Sequence, residues 1–293
     1  MAELLEGQWE IGGLVFGAGQ GVIVPDFTIG GADITAGDTP VPGGDGRVFG
    51  YDYAGGRSLA FTLAVDREDG ATARAAWNAF AAAWNAPQVR LSPRAVTALR
   101  IRDHGMDTVV VYGRPRRLDP VSTALLDRGT VALTASFETA DAAFYSDTEH
   151  QVTLDLLPAI GEGLILPFTL PAVLTDLGDS DTTFLTNTGD APAWPIITFL
   201  GPVTNPGVRL AATGTTLQLT TTLAFDQTAT VDTRPWARTA LRNDGASLAG
   251  TLTGPDLADF ALPPGSTEVV FRGQDLTGDA RCTIAWRDAR STP

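Results

Sequence analysis

The chain has 293 residues, of which 44% are hydrophobic and 18% are charged, so it is not an intrinsically disordered protein and is long enough for two domains. Its 34 acidic and 20 basic residues give a net charge of −14, which disfavours attachment to nucleic acid or to an anionic membrane surface by charge attraction. No apolar run approaches the roughly 20 residues of a membrane span, and the acidic N-terminus does not have the basic start of an export signal.

The first half of the chain is predicted to combine short strands with one helix. The helix covers Ala71–Ala86, where Trp77, Phe80 and Trp84 form an aromatic stripe at helical spacing, and Pro87 ends it. We expect this stripe to pack in the core of the first domain. The predicted strands are Trp9–Phe16, Gly21–Ile29, Ser58–Val65, Val96–Asp103, Thr108–Arg114 and Thr130–Thr139.

Two glycine-rich segments of this half could be taken for functional loops. GAGQG, Gly17–Gly21, is followed by a strand and not by the helix that a dinucleotide site needs, so we interpret it as a hairpin turn. VPGGDGRVFGYDYAGGRSL, Val41–Leu59, is predicted to be an exposed loop that contacts another subunit, since aromatic residues and arginine are enriched at interface centres. The candidate residues for this contact are Arg47, Phe49, Tyr51, Tyr53 and Arg57.

The second half is predicted to be entirely β. A change of composition near Phe137–Asp147 puts the boundary close to residue 148, giving domains 1–148 and 149–293. The first domain is then α+β and the second a β-sandwich with its own set of aromatic residues, Phe184, Trp194, Phe199, Phe225, Trp236, Phe271 and Trp286. The predicted strands are Gln151–Leu157, Thr182–Thr186, Ile196–Leu200, Val208–Ala211, Thr215–Leu223, Ala229–Asp232, Ser247–Leu252, Glu268–Arg272 and Arg281–Trp286.

Neither half offers the residue patterns of an enzyme or a metal site. The single cysteine, Cys282, alternates with Ile284 and Trp286 and is predicted to be a core residue of a strand. With only His104 and His150 beside it, a zinc site is not expected. No motif of a metalloprotease, serine hydrolase, P-loop NTPase or thiol oxidoreductase occurs, so we predict no catalytic residue, no cofactor and no metal.

The segment NTGDAPAWPIITFLG, Asn187–Gly201, has the residues of a turn followed by a strand. Asn187, Gly189 and Pro192 favour a turn, and Pro195 at the start of a strand pushes Trp194 into an extended conformation. We interpret the segment as the entry of the chain into a sandwich.

Several blocks, in this order and spacing, resemble the distal tail proteins of siphophages, of the type known as minor tail proteins in phages of actinobacteria. In the first half they are GGLVFGAGQGVIV, DGRVFGYDYAGGRSLAFTLAV, YGRPRRL and FETADAAFYSD. In the second half they are NTGDAPAWPIITFLGPVTNPGVRL, TVDTRPWAR, LPPGSTEVVF and TIAWRDA. Actinobacterial hosts have GC-rich genomes, which would also explain why every basic residue of the chain is arginine.

This resemblance implies a structural protein and not an enzyme. The N-terminal domain, of split-barrel type, would assemble into a hexameric ring below the tail tube, and the C-terminal domain would be a galectin-like β-sandwich. The partners implied are other copies of the chain, the tail tube protein and a tail tip or hub protein, with DNA passing through the lumen and no membrane. The protein would be made in the cytoplasm of the bacterial host and would be located at the distal end of the tail in the virion.

An alternative function is a carbohydrate-binding module that attaches the tail to the host cell wall. A galectin-like sandwich could bind sugars, and Trp194 or Trp236 could stack on a pyranose ring. Exposed aromatic rings in a groove would favour this alternative. A cell-wall hydrolase, as a third function, has no motif that supports it.

Overall fold

The computed structural model of the protein describes residues 3–156, 182–275 and 277–293. The chain separates into two compact units, one formed by Met1–Asp147 together with Arg290–Pro293 and the other by Thr148–Ala289. In the part of the chain described, no helix is both long and apolar enough to cross a membrane.

The first unit combines strands with two α-helices. The helices are α1, Gly70–Asn85, and α2, Pro87–Leu91, and a 3-10 helix covers Leu126–Arg128. The strands are Gln8–Ile11 (β1), Leu14–Gly17 (β2), Val22–Ala36 (β3), Thr39–Pro40 (β4), Arg47–Val48 (β5), Asp52–Asp66 (β6), Thr97–Arg102 (β7), Val109–Ser122 (β8), Thr130–Thr139 (β9) and Phe144–Ser146 (β10).

Seven of these strands form an antiparallel sheet in the order β2-β1-β7-β8-β9-β6-β3. In a flat sheet, β1 and β3 would lie about 24 Å apart, because four strands separate them. Instead the ring centroid of Trp9 on β1 is 5.5 Å from that of Phe27 on β3. The sheet therefore curls back on itself, and because β2 and β3 do not pair, it forms a split barrel.

Helix α1 begins at a side-chain cap and packs its aromatic residues into the barrel core. Asp69 accepts a hydrogen bond from the backbone N–H of Thr72, which satisfies a donor of the first turn. Phe80 and Trp84 are fully buried, and the Trp84 ring contacts Phe61 at 5.7 Å. Its indole Nε1 donates to the carbonyl of Arg117 at 2.9 Å. The helix thus closes the concave face of the sheet.

A buried ion-pair group ties strands β1 and β7 to the end of the first unit. Arg100 on β7 lies opposite Glu10 on β1 and forms an ion pair with it. Its guanidinium also binds Asp147 through two bonds, Nε–Oδ1 at 2.8 Å and Nη2–Oδ2 at 2.6 Å. Both carboxylates therefore offset the charge of an arginine whose side chain is only 5% exposed.

In its described residues, the second unit consists of strands and two short 3-10 helices, Ala249–Thr251 and Leu257–Asp259. Its strands are His150–Asp155 (β11), Thr182–Asn187 (β12), Ile196–Leu200 (β13), Val203–Leu210 (β14), Thr216–Leu219 (β15), Thr222–Leu223 (β16), Thr228–Asp232 (β17), Thr239–Arg242 (β18), Leu252–Thr253 (β19), Gly265–Gln274 (β20) and Arg281–Trp286 (β21). A two-residue strand, Ala289–Arg290 (β22), lies at the point where the chain returns to the first unit.

These strands form two antiparallel sheets that pack face to face. One sheet has the order β11-β21-β13-β17-β18 and the other β12-β20-β14-β15-β19, with β16 beside β14. Phe199 of β13 stacks on Phe271 of β20 with ring centroids 5.9 Å apart, so residues of the two sheets meet in one core. The unit is a β-sandwich.

Asn187 organises the turn that leads into β13. Its buried side-chain amide donates to the carbonyl of Ala191 at 2.8 Å, and its Oδ1 accepts from the backbone of Gly189 at 3.1 Å. The strand then begins at Ile196, directly after Pro195. The interpretation of this segment as a turn into a strand is confirmed.

One face of β21 carries Cys282, Ile284 and Trp286, and all three are buried, as the alternation predicts. The prediction of a strand at Ser247–Leu252 is wrong, because Ala249–Thr251 forms a 3-10 helix and only Leu252 belongs to a strand. The predicted strand Gln151–Leu157 is observed as β11, although Leu157 lies outside the described residues. Five short strands of the described residues, β4, β5, β10, β18 and β22, were not predicted. The predicted single strand Trp9–Phe16 is instead the hairpin of β1 and β2. The prediction of a hairpin turn at Gly17–Gly21 is wrong, because this segment joins β2 to β3, which do not pair.

Phe184 and Phe225 do not contribute to the core of the sandwich. Their exposed fractions are 66% and 71%, whereas Phe199 and Phe271 are buried. Phe184 lies on an edge strand, β12, at a position that the alternation points outward. Hydrophobic character alone did not distinguish these two positions from the buried ones.

Candidate functional site

The most exposed apolar surface of the first unit is carried by a long hairpin formed by β3 and β6. These strands pair from Val22 and Val65 at one end to Ala36 and Asp52 at the other. Strand β9 pairs with β6 only from Ser58 to Asp66. Residues 30–57, which we call the hairpin arm, therefore extend beyond the sheet as a two-stranded ribbon. The predicted loop at Val41–Leu59 is thus largely β-structure, with β5 and the start of β6 inside it.

Irregularities of the ladder coincide with the base of the arm. The pairing of β3 with β6 shifts register between Ile29 and Ala32 and again between Ala32 and Ile34. Such bulges bend a strand and strengthen its twist. Along β6 the burial alternates from Leu59 onward, whereas residues 52–54 are all exposed. The arm and the body of the sheet are thus distinct in both pairing and burial.

Five large apolar or aromatic residues of the arm are more than half exposed. Their exposed fractions reach 79% for Phe49 and 84% for Tyr51; the others are Ile34, Val48 and Tyr53. A two-stranded ribbon is only marginally stable in water by itself. A cluster of several exposed apolar side chains is typical of a surface that contacts another protein. The arm is therefore the surface of this unit best suited to a protein partner.

The tip of the arm is held by short-range contacts. Arg47 Nη1 lies 3.3 Å from Asp38 Oδ2, and the other oxygen of Asp38 accepts from the backbone of Gly50 at 3.3 Å. A Cβ atom on Gly50 would lie 2.1 Å from the carbonyl oxygen of Gly37, so the two backbones approach in a way that requires glycine here. Arg47 keeps 65% of its side chain exposed and can still meet a partner.

Arg57 has different surroundings from the other four residues predicted for the interface. Its guanidinium donates to the carbonyls of Ala142 at 2.8 Å, Gly30 at 3.3 Å and Ser291 at 3.0 Å. It also lies 5.2 Å from the centre of the Phe144 ring. Arg57 therefore fastens the base of the arm to the first unit. The other four residues, Arg47, Phe49, Tyr51 and Tyr53, lie further along the arm and are exposed.

Asp141, which has a buried carboxylate oxygen, lies in the same turn that accepts the hydrogen bond from Arg57. Burial raises the pKa of Asp141 from its usual value near 3.8 to about 6, although a hydrogen bond from the Tyr145 hydroxyl acts in the opposite direction. Burial likewise raises the pKa of the Cys282 thiol in the second unit. Within residues 3–156, 182–275 and 277–293, no group of three His, Cys, Asp or Glu side chains is close enough to hold a metal ion.

The two tryptophans considered for sugar stacking are both half-buried. The Nε1 atom of Trp194 is buried and has no hydrogen-bond partner among the described residues. The Trp236 ring is covered on one side by the Arg234 guanidinium at 5.3 Å, and Arg234 is itself paired with Asp232. These positions do not form the exposed aromatic groove that sugar stacking requires.

The comparisons with known proteins give structural neighbours but no sequence relatives. No protein-family description and no curated protein sequence matches the chain. The SPP1 Dit protein, described as a paradigm of the hub adsorption apparatus in phages that infect Gram-positive bacteria, matches 96% of this chain and 98% of its own, at 14% identity and a TM-score of 0.58.

The chain has the fold of a phage Dit protein. A chain of the phage P2 baseplate in its activated conformation with Ca aligns over 95% of this chain and 97% of its own, at 14% identity and a TM-score of 0.54. The same baseplate with Sr gives the same coverage and identity, with a TM-score of 0.53. The Dit fold thus accounts for both units of the chain in their order, the split barrel with its helix and then the sandwich.

Proposed function

We propose that this protein is a structural component of a siphophage tail tip or baseplate, where it forms a hexameric ring that joins the tail tube to the tip proteins. The observation that carries this proposal is the correspondence of fold with Dit hub proteins over almost the full length of both chains. A fold shared over 96% of the chain includes both units, so the proposal does not depend on one widespread domain type.

The hairpin arm supports assembly. A closed ring is built from repeated head-to-tail contacts, in which a projecting element of one copy meets the next copy or the ring above. The arm projects beyond the sheet and carries exposed Phe49, Tyr51 and Tyr53, which are residue types found at interface centres. We assign it to the contact between copies or to the contact with the tail tube protein.

The charge balance supports a passage for DNA. An excess of 14 negative charges per copy repels a polyanion, so that DNA can pass a lumen without being retained. The second unit, in this proposal, is a galectin-like sandwich at the outside of the ring that meets the tip or hub protein. The protein is then made in the bacterial host cytoplasm and becomes part of the virion tail as a minor tail protein with no enzymatic role.

The test is the mass of the purified full-length protein together with the symmetry of its particles. We expect light scattering to give six copies per particle, in isolation or after addition of the tail tube protein, and class averages of negatively stained particles to show a six-fold ring with an open centre. A protein that stays monomeric in both conditions, or that forms rings of a different symmetry, contradicts the proposal in its present form.

Sugar binding is not proposed as a second function. Arg234 covers one face of the Trp236 ring and Trp194 is half-buried, so no observation of the described residues favours a sugar-stacking site at either residue. Binding of a cell-wall polysaccharide that is lost in Trp236→Ala would reverse this judgement.

A further inference from the structure

Three arginines surround a small open cavity on the first unit, away from any contact used so far. The cavity has a volume of about 280 Å³ and is lined by Arg90, Arg114, Pro115 and Arg116. Sites for drug-sized ligands are usually about 300–1,000 Å³. This cavity, which we call the arginine pocket, therefore suits one or two side chains or a small anion better than a large cofactor.

The pocket depends on a bulge in strand β8. The pairing of β8 with β9 runs from Pro115 opposite Phe137 directly to Arg117 opposite Ser136, so Arg116 is the extra residue. As a result Arg116 and Arg117 are both exposed, where regular alternation would turn one of them inward. Proline has no backbone N–H to donate to the ladder and is therefore tolerated beside a bulge, where Pro115 lies. The bulge thus directs an additional positive charge to the surface.

Two of the arginines are held in place by backbone carbonyls. Arg114 donates through Nε to Ala95 at 2.7 Å and through Nη2 to Ser92 at 2.7 Å. Arg90 of α2 donates to the carbonyl of Arg116 at 3.4 Å. A guanidinium has five N–H donors, so Arg114 keeps about three for a ligand after its bonds to the described residues. The donors are thus oriented before a ligand arrives.

None of these bonds neutralises charge. Among the described residues, no carboxylate lies within ion-pair distance of Arg90, Arg114 or Arg116, although Glu138 is opposite Arg114 in the strand register. Three like charges around one cavity repel each other, and this cost is offset when an anion binds between them. The chain has 34 acidic residues and only 20 arginines, so a cluster of three arginines with no carboxylate in ion-pair distance among the described residues runs against its overall charge balance.

We propose that the arginine pocket binds the carboxylates of an acidic segment of a neighbouring protein. Guanidinium groups bind carboxylates through paired, charge-assisted hydrogen bonds, and the pocket has room for such a side chain. Leu91, next to Arg90 in the chain and 84% exposed, adds an apolar contact for the same segment. A duplex nucleic acid is disfavoured relative to a short acidic segment: it carries one charge per about 1.7 Å of its axis, so only a few phosphates could meet the pocket and the rest would face a chain of net charge −14.

The test uses the full chain and a labelled oligoglutamate peptide, with binding measured by fluorescence anisotropy at low ionic strength. We expect saturable binding to the wild type and a loss of at least about tenfold in affinity for the double variant Arg90→Gln with Arg116→Gln, since each lost charge-assisted bond weakens binding by roughly that factor. Arg114 is left unchanged because its bonds to Ser92 and Ala95 are structural.

The double variant Arg128→Gln with Arg209→Gln is the matched control, because both arginines are exposed and lie outside the pocket, and their replacement removes the same two charges. It should bind the peptide as the wild type does. A single-stranded oligonucleotide of the same formal charge should bind more weakly than the peptide. The proposal is overturned by non-saturable binding, by an equal loss in the control, or by an oligonucleotide that binds as tightly as the peptide. Because the readout is not assembly, such a failure leaves the ring proposal untouched.

Discussion

Trp84 connects the helix to most of the aromatic core of the first unit. Its ring is 5.3 Å from Phe80, 5.7 Å from Phe61 and 6.3 Å from Phe137, and no part of the side chain is exposed. Trp77 on the same helix is only half-buried, and the Arg74 guanidinium lies 5.0 Å above its ring. The aromatic stripe that the spacing predicts is thus buried unevenly.

Replacing the two tryptophans should therefore have different effects on stability. Trp84→Ala should lower the free energy of unfolding by about 3–5 kcal/mol, because it leaves a large cavity and breaks the bond to the Arg117 carbonyl. Trp77→Ala should cost about 1–2 kcal/mol, since part of its surface is already in contact with water. Urea denaturation of both variants measures the difference. Equal losses would show that the helix docks through Trp77 as much as through Trp84.

Asp141 should make the stability of the first unit depend on pH in a direction opposite to that of most carboxylates. Its pKa is about 6 in the folded state and near 3.8 in the unfolded state, so the folded state binds more protons between these values. Its contribution is complete below about pH 4 and is lost as the pH rises through about 6. Burial is the cause, because it disfavours the charged form.

Asp141→Asn should separate this effect from the titration of the other carboxylates. The variant should gain stability relative to the wild type as the pH rises from about 4 to about 7, by up to about 3 kcal/mol, which is the value of a shift of about two pKa units. Thermal unfolding of both proteins across this range gives the comparison. A difference in stability that stays constant with pH would mean that Asp141 is ionised in the fold at its usual pKa.

At the scale of elements, the hairpin arm combines a long ladder with an unsupported end. Strands β3 and β6 each have 15 residues, but β9 supports only the part of β6 from Ser58 to Asp66. A ribbon that leaves its sheet and exposes aromatic residues gains stability from a partner and not from its own core. Arg57 at the base and Arg47 at the tip therefore act on different parts of the same element.

Replacing Phe49, Tyr51 and Tyr53 together with Ser should reduce assembly without unfolding the monomer. All three side chains are more than two-thirds exposed, so their removal costs the isolated chain little. In a ring, one altered patch weakens every interface at once. We expect a lower assembled mass by light scattering and less incorporation into tails formed with the tube protein.

The double variant Phe184→Ser with Phe225→Ser is the matched control, since it removes exposed aromatic residues from the second unit. It should assemble like the wild type. If the arm variant forms the same particles and the same tails as the wild type, then the arm is not the assembly surface.

At the scale of the whole molecule, the last four residues, Arg290–Pro293, belong to the first unit and not to the sandwich that precedes them. One of them, Ser291, accepts a hydrogen bond from Arg57 at the base of the arm. A fragment for the second unit should therefore span 148–289, whereas the sequence alone suggests 149–293.

We predict that residues 148–289 fold alone as a monomeric all-β domain. The two sheets pack on each other within this range, and their core includes Phe199, Phe271 and Ile284. Circular dichroism should give a strand-rich spectrum and a cooperative melting transition. Substantial helix in the spectrum, or melting without cooperativity, would show that the sandwich depends on the first unit.

The local patterns of the sequence were sufficient for most elements. The helix was predicted to within one residue at each end, because Asp69 caps its first turn and Pro87 follows its last residues. Strands with strict alternation, such as β9, β13 and β21, have the predicted bounds. The fold class followed from their number and order, and the resemblance to tail proteins agrees with the fold found by comparison. These properties depend on neighbours in the chain, which a sequence displays directly.

The rest was decided by contacts between residues far apart in the chain. The aromatic residues and glycines of the arm marked it as a candidate contact surface in the sequence. Where the arm begins depends on where the pairing of β9 with β6 ends, which is a contact between strands far apart in the chain. The role of Arg57 depends on carbonyls 27 to 234 residues away. The arginine pocket joins α2 to a bulge in β8, and no local pattern marked that bulge. Long-range pairing therefore decided which exposed residues lie together, because only folding brings these segments into contact.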